Sequence, residues 1–159
     1  MKHYISIIIL AIFLFSCNGH SKHWETLSQV ESYIEEKPDS ALVTLEQMDL
    51  SELSGKEEKA KHALLYSMAL DKNFVDKTDF EVLQPAIDYY EDNGSATDKL
   101  RTYYYQGRIY QNAGNDALAM ESFVKALSEG VESDDVLTQA RIYFAQSKIS
   151  SSYLCLLFS

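Results

Sequence analysis

From residue 24 onward, apolar side chains return every three or four positions between short polar breaks, the spacing of a helix that buries one face. Trp24, Leu27, Val30, Tyr33 and Ile34 mark a first helix that ends near Lys37. Pro38-Asp39-Ser40 opens a second, because proline is tolerated in a first turn and aspartate suits its positive end. Its apolar face is Ala41, Leu42, Leu45 and Met48, and the stretch from Asp49 to Gly55 breaks the pattern. A third helix is expected from about Lys56 to Asn73, through Ala60, Ala63, Leu64, Met68 and Ala69. Thr78 or Asp79 is placed to cap a fourth, carrying Val82, Leu83, Ala86, Ile87 and Tyr90. Pro85 within it either bends that helix or marks a later start. A fifth spans about Ser95 to Ala113, and Gly114-Asn115-Asp116 then turns the chain into a sixth ending at Glu129-Gly130. A seventh begins near Ser133-Asp134-Asp135. No run keeps a period of two, so the expected class is all-α.

The opening residues obey a different logic. Tyr4 to Phe15 is apolar except for Ser6, too short to span a bilayer and of the right length for a signal-peptide core. It stops at Leu14-Phe15-Ser16-Cys17, and polar residues come next. A small residue before a cysteine at the end of such a run resembles the lipobox of bacterial lipoproteins. An ordinary signal peptide that happens to end before a cysteine is the alternative. The resemblance implies cleavage after residue 16, acylation of Cys17, and a tether over residues 17–23. Several acyl chains would then hold the protein to a membrane, where one alone is marginal. Residue 18 is Asn and no acidic cluster comes after it, which implies an outer-membrane anchor facing the periplasm.

Composition narrows the partners. The formal charge of -10 disfavours nucleic acid, whose binding needs a Lys/Arg surface to release counterions. With Cys17 acylated, Cys155 has no intramolecular partner, so no disulfide framework is expected and the fold stands on packing.

Between Leu100 and Ser133 the pattern becomes specific. Tyr103-x2-Gln106-Gly107-x2-Tyr110, then Gly114-Asn115, then Ala119-x3-Phe123-x2-Ala126 resembles one tetratricopeptide repeat, a helix-turn-helix unit of about 34 residues. Gly107 would let two helices approach, with Phe123 as the knob, Ala119 and Ala126 as small neighbours, and Tyr103 and Tyr110 as core. Gln106 replaces the usual leucine, and Val131 stands near the usual closing proline. Ala140 and Tyr143 recur 33 residues after Gly107 and Tyr110, and Ala69 stands 38 residues before Gly107. The stretches Lys37 to Leu42, Pro85 to Tyr90 and Leu100 to Arg108 resemble tetratricopeptide lipoproteins of Bacteroidota. The resemblance implies antiparallel helical hairpins stacked as a short solenoid over residues 24–149. Residues 150–159, Ser-rich and then apolar, depart from it and are expected to form an irregular tail, as in a truncated member of the group; the alternative is a genuine C-terminal segment that folds back onto the last hairpin.

By that resemblance, Tyr104, Arg108, Gln111 and Asn112 line a groove that binds a peptide or protein, with Arg101 and Arg141 at its border. A polar outer surface with an incidental tyrosine is the alternative reading. Arg and Tyr are residue types enriched at binding hot spots. No nucleotide fingerprint, HExxH motif or nucleophile–base arrangement occurs, so no catalytic residue, metal or cofactor is expected. His20 and His23 lie in the tether with no further ligand, His62 is expected on a helix surface, and adjacent carboxylates such as Glu57-Glu58 point apart. The expected function is a lipid-anchored interaction scaffold of the bacterial envelope, within a sensing or regulatory system. The alternative is a structural spacer or assembly subunit.

Overall fold

The computed structural model describes residues 21–157, and side chains through residue 154. The signal segment, Cys17 and His20 lie outside the described residues. Among those described the protein is all-α. Seven helices succeed one another there: α1 (Lys22–Tyr33), α2 (Pro38–Glu46), α3 (Gly55–Lys72), α4 (Gln84–Asn93), α5 (Ala96–Asn112), α6 (Asp116–Glu129) and α7 (Val136–Leu157). A 3-10 turn, Leu50–Glu52, stands between α2 and α3.

The starts reflect local chemistry. Ser95 caps α5 with a complete capping box: its hydroxyl accepts from the Asp98 amide, and the Asp98 carboxylate accepts from the Ser95 amide. Asn115 caps α6 through the Leu118 amide at 3.2 Å. Asp135 accepts from the Thr138 amide at 3.0 Å, which seats the start of α7. Helix α4 begins at Gln84, with Pro85 in its first turn, later than a cap at Thr78 or Asp79 would place it. Proline lacks an amide hydrogen and clashes with the carbonyl four residues back, so the helix cannot extend upstream through it.

Two expected boundaries are corrected. Helix α1 starts inside the expected tether, because Ser21 caps it through the Trp24 amide and binds Glu58 on α3. The expected irregular tail is helical as far as Leu157. The Ser150, Ser151 and Ser152 hydroxyls donate to the carbonyls of Gln146, Ser147 and Lys148 at 2.8–3.0 Å, so the serine run stays within the helix.

The order of contacts is regular. Helix α1 lies against α3, α3 against α5, and α5 against α7. Each of α2, α4 and α6 touches the helix before it and the helix after it. These three bury the same pattern, a small residue and, four positions later, a larger one: Ala41 and Leu45, Ala86 and Tyr90, Ala119 and Phe123. The core runs continuously from Leu27 to Ile149.

The tightest approach joins α5 and α6. A methyl group placed on Gly107 would come within 2.4 Å of the Phe123 ring, and Phe123 is wholly buried. Ala119 and Ala126 are buried beside it. Tyr103 is buried with the Lys125 ammonium 4.3 Å from its ring centre, and Tyr110 packs edge-on to Phe80 at 4.9 Å.

Candidate functional site

The polar face of the odd-numbered helices is laced by ion pairs. Glu31 on α1 binds Lys61 on α3 at 2.6 Å and Arg101 on α5 at 2.8 Å. Arg101 also reaches Asp135, ahead of α7, at 2.6 Å. Glu35, just past α1, binds Lys72 at 2.6 Å and Arg141 of α7 at 2.7 Å. The Arg141 guanidinium, seconded by Lys72, holds the Glu35 carboxyl down at about 2, against the desolvation that would raise it. Asp71 of α3 binds Arg108 of α5 at 2.9 Å. Burial works against the Arg108 charge, and Asp71, with smaller help from Tyr104 and Asp76, holds its basicity above the ordinary value.

Beside these pairs lies an open cleft of about 490 Å³ between α5 and α7. Its polar side is Asp71, Arg108, Gln111, Arg141 and Lys148, and its apolar side includes Leu137, Ala140 and Phe144. Three of the four expected groove residues, Tyr104, Arg108 and Gln111, meet here. Arg108 is oriented from both directions, since it donates to Asp71 and, at 2.6 Å, to the Gln111 side-chain oxygen. Lys148 makes no ion pair among the described residues.

Two expectations are corrected in part. Tyr104 is only 5 % exposed, because its ring stacks edge-on to Tyr105 at 4.8 Å and tilts towards Phe123. It forms the floor of the cleft rather than a projecting contact. Burial pushes its phenol up to about 12, so it stays protonated at neutral pH. Asn112 lies outside this cleft and donates to the Lys77 carbonyl at 3.2 Å, pinning the connection between α3 and α4. His62 is not on a surface: it is buried, with Nε2 3.1 Å from the Leu45 carbonyl, and burial lowers its basicity. His23 pairs with Glu52 at 3.4 Å.

Sequence reasoning set Arg141 of α7 at the groove's border but missed its neighbours Leu137, Phe144 and Lys148. The 33-residue spacing carries Tyr104, Arg108 and Gln111 onto Leu137, Arg141 and Phe144, all of which line the cleft. That signal was present and needed only to be applied to the groove positions. Asp71 and Lys148 had no such signal. Among the described residues no group of three metal-ligating side chains occurs, and no helix is long and apolar enough to cross a membrane. No family model, curated protein or solved structure matches the chain.

Proposed function

We propose that this chain is a tetratricopeptide-type scaffold, lipid-anchored at Cys17 in a bacterial envelope, that holds a protein or peptide partner in the cleft between α5 and α7. The observation that carries the reading is the make-up of that cleft. Cationic and amide groups, preset by Asp71 and Glu35, stand on one side, and an exposed apolar strip, Leu137 to Phe144, on the other. Such a surface fits a segment that presents an apolar side chain beside a carboxylate, with Lys148 as a cation that makes no ion pair among the described residues. The repeat reading is supported by the alternating helix contacts and by the seating of Phe123 on Gly107.

The test compares tagged full-length chain with two cleft variants, Phe144→Ser and Lys148→Glu, in pull-downs from cell envelopes. One protein species retained by the unaltered chain and reduced at least tenfold by both variants is the expected result. Equal retention by all three removes the cleft assignment. A second reading, a rigid spacer, is favoured by the ion pairs that tie α1 directly to α5 and α7 through Glu31 and Glu35. Under it, partners stay bound when the cleft is altered.

A further inference from the structure

Helices α3 and α5 end in the same pair of hydrogen bonds, with Leu70 and Tyr110 as equivalent acceptors, which fixes their register at a shift of 40 residues. At that shift every buried position of α5 is buried in α3 as well. The side chains that fill those positions differ. Where α5 carries Tyr103, buried with the Lys125 ammonium 4.3 Å from its ring centre, α3 carries Ala63. The residue 40 before Lys125 is Pro85, and it borders the same space as Ala63. A methyl group thus stands where the next helix pair has a phenol ring. A pocket of about 440 Å³ opens there between α3, the 3-10 turn and the start of α4. Leu50, Leu53, Ala63, Val82 and Pro85 give it apolar walls.

We infer that this pocket binds a small neutral phenol, with its ring in the space that Ala63 leaves and its hydroxyl donating to His62. That histidine is 6 % exposed and lines the pocket. Its Nε2 stands 3.1 Å from the Leu45 carbonyl, an oxygen that only accepts, so Nε2 carries the ring proton. Nδ1 is then a lone pair, and it has no hydrogen-bond partner among the described residues. Burial lowers the basicity of the ring, which keeps that lone pair free of a proton at neutral pH. A buried acceptor selects a ligand that brings a donor, because leaving it bare forfeits a hydrogen bond. Tyr66, tilted 41° to the His62 ring at 5.7 Å, adds an aromatic wall that favours a ring over an aliphatic body. Charge favours a neutral ligand. Lys59 and Glu81, one of each sign, both line the pocket from exposed positions, so neither an aryl acid nor an aryl amine gains. At about 440 Å³ the pocket falls within the roughly 300–1,000 Å³ of small-molecule sites, which points to a free molecule rather than a protein segment. It shares no lining residue with the cleft between α5 and α7, so it stands independently of the proposed partner site.

The test adds p-cresol, the tyrosine side chain as a free molecule, to the full-length chain in mild detergent and follows the His62 side-chain nitrogen NMR signals. Equilibrium dialysis measures the free probe. Sub-millimolar binding is expected, with the Nδ1 signal moving upfield as it accepts a hydrogen bond. Toluene, the same ring without the hydroxyl, should bind at least tenfold more weakly. Ala63→Tyr, which puts the ring of α5 into the pocket, and Leu50→Asp, at an exposed position on its wall, should each weaken p-cresol at least tenfold. Phe144→Ser, in the cleft, should leave its affinity unchanged. Circular dichroism reads the fold of each variant, and the exposed site at Leu50 guards against misfolding at buried Ala63. No binding of p-cresol at millimolar concentration, toluene binding as tightly, or affinity kept by either folded pocket variant would each overturn the inference. So would a short tyrosine-containing peptide that binds more tightly than p-cresol, since the site would then read a protein.

Discussion

The pairs α3–α4 and α5–α6 are built to one plan and finished with different residues. Each buries an alanine and, four positions on, an aromatic ring from its second helix: Ala86 and Tyr90 in one, Ala119 and Phe123 in the other. Each first helix also ends in the same double hydrogen bond. In α3 the Val75 amide reaches the Leu70 carbonyl at 2.9 Å and the Phe74 amide reaches Asp71 at 3.1 Å. In α5 the Asn115 amide reaches Tyr110 at 2.8 Å and the Gly114 amide reaches Gln111 at 3.0 Å. This closure needs one left-handed residue, and glycine is the usual occupant. Gly114 supplies it at φ 75°, whereas Phe74 adopts φ 60° with its side chain 92 % exposed. A short turn, residues 113–115, leads out of α5, and the longer connection 73–83 leads out of α3. Closure is therefore set by the hydrogen bonds of the helix end and the path of the next segment, and glycine eases it without being required.

The two helix pairs should diverge most at the buried knob of α6. Phe123→Ala should destabilise the protein by about 3–5 kcal/mol, read as a drop in the urea midpoint, because the ring is wholly enclosed. A loss under about 1 kcal/mol would mean that the α5–α6 contact collapses around the gap or matters little to the fold.

A smaller effect, informative chiefly through its sign, is expected at Gly107. Alanine in a helix interior ordinarily stabilises by about 0.5–1 kcal/mol over glycine. Here the added methyl meets a ring that has no free space to enter, so Gly107→Ala should destabilise by about 1–3 kcal/mol in the same measurement. Stabilisation would show that the two helices can separate freely.

The smallest effect is at the other helix pair's cap. Phe74→Gly should raise stability by about 0.5–1 kcal/mol, since it relieves a left-handed conformation and gives up almost no buried surface. A fall would mean that the exposed ring is held by something that the isolated chain does not show.

Much of this architecture is legible in the residues, and the reasons are local. The breaks at Pro38, Ser95 and Gly114 act through their own backbone chemistry, so the helices they bound fall within a residue or so of expectation. The Gly107, Ala119, Phe123 and Ala126 set is legible because close helix contact demands side chains of particular size at particular spacing. The tail is misread because serine hydroxyls can either leave a helix or bond back into it, and composition does not say which. His62 is misread because a lone polar residue reveals its depth only once Leu45 offers a carbonyl to it.

The all-α class, the order of helices and the tight α5–α6 contact are written in the order of residues, since each depends on propensity, capping or side-chain volume over a few turns. Folding in three dimensions was needed to make Tyr104 a floor rather than a contact, to turn Asn112 into a brace for a connection, and to let α7 complete the cleft. Those outcomes depend on which distant helix arrives beside each face, and on ion pairs such as Glu35–Arg141 that join residues far apart in the chain.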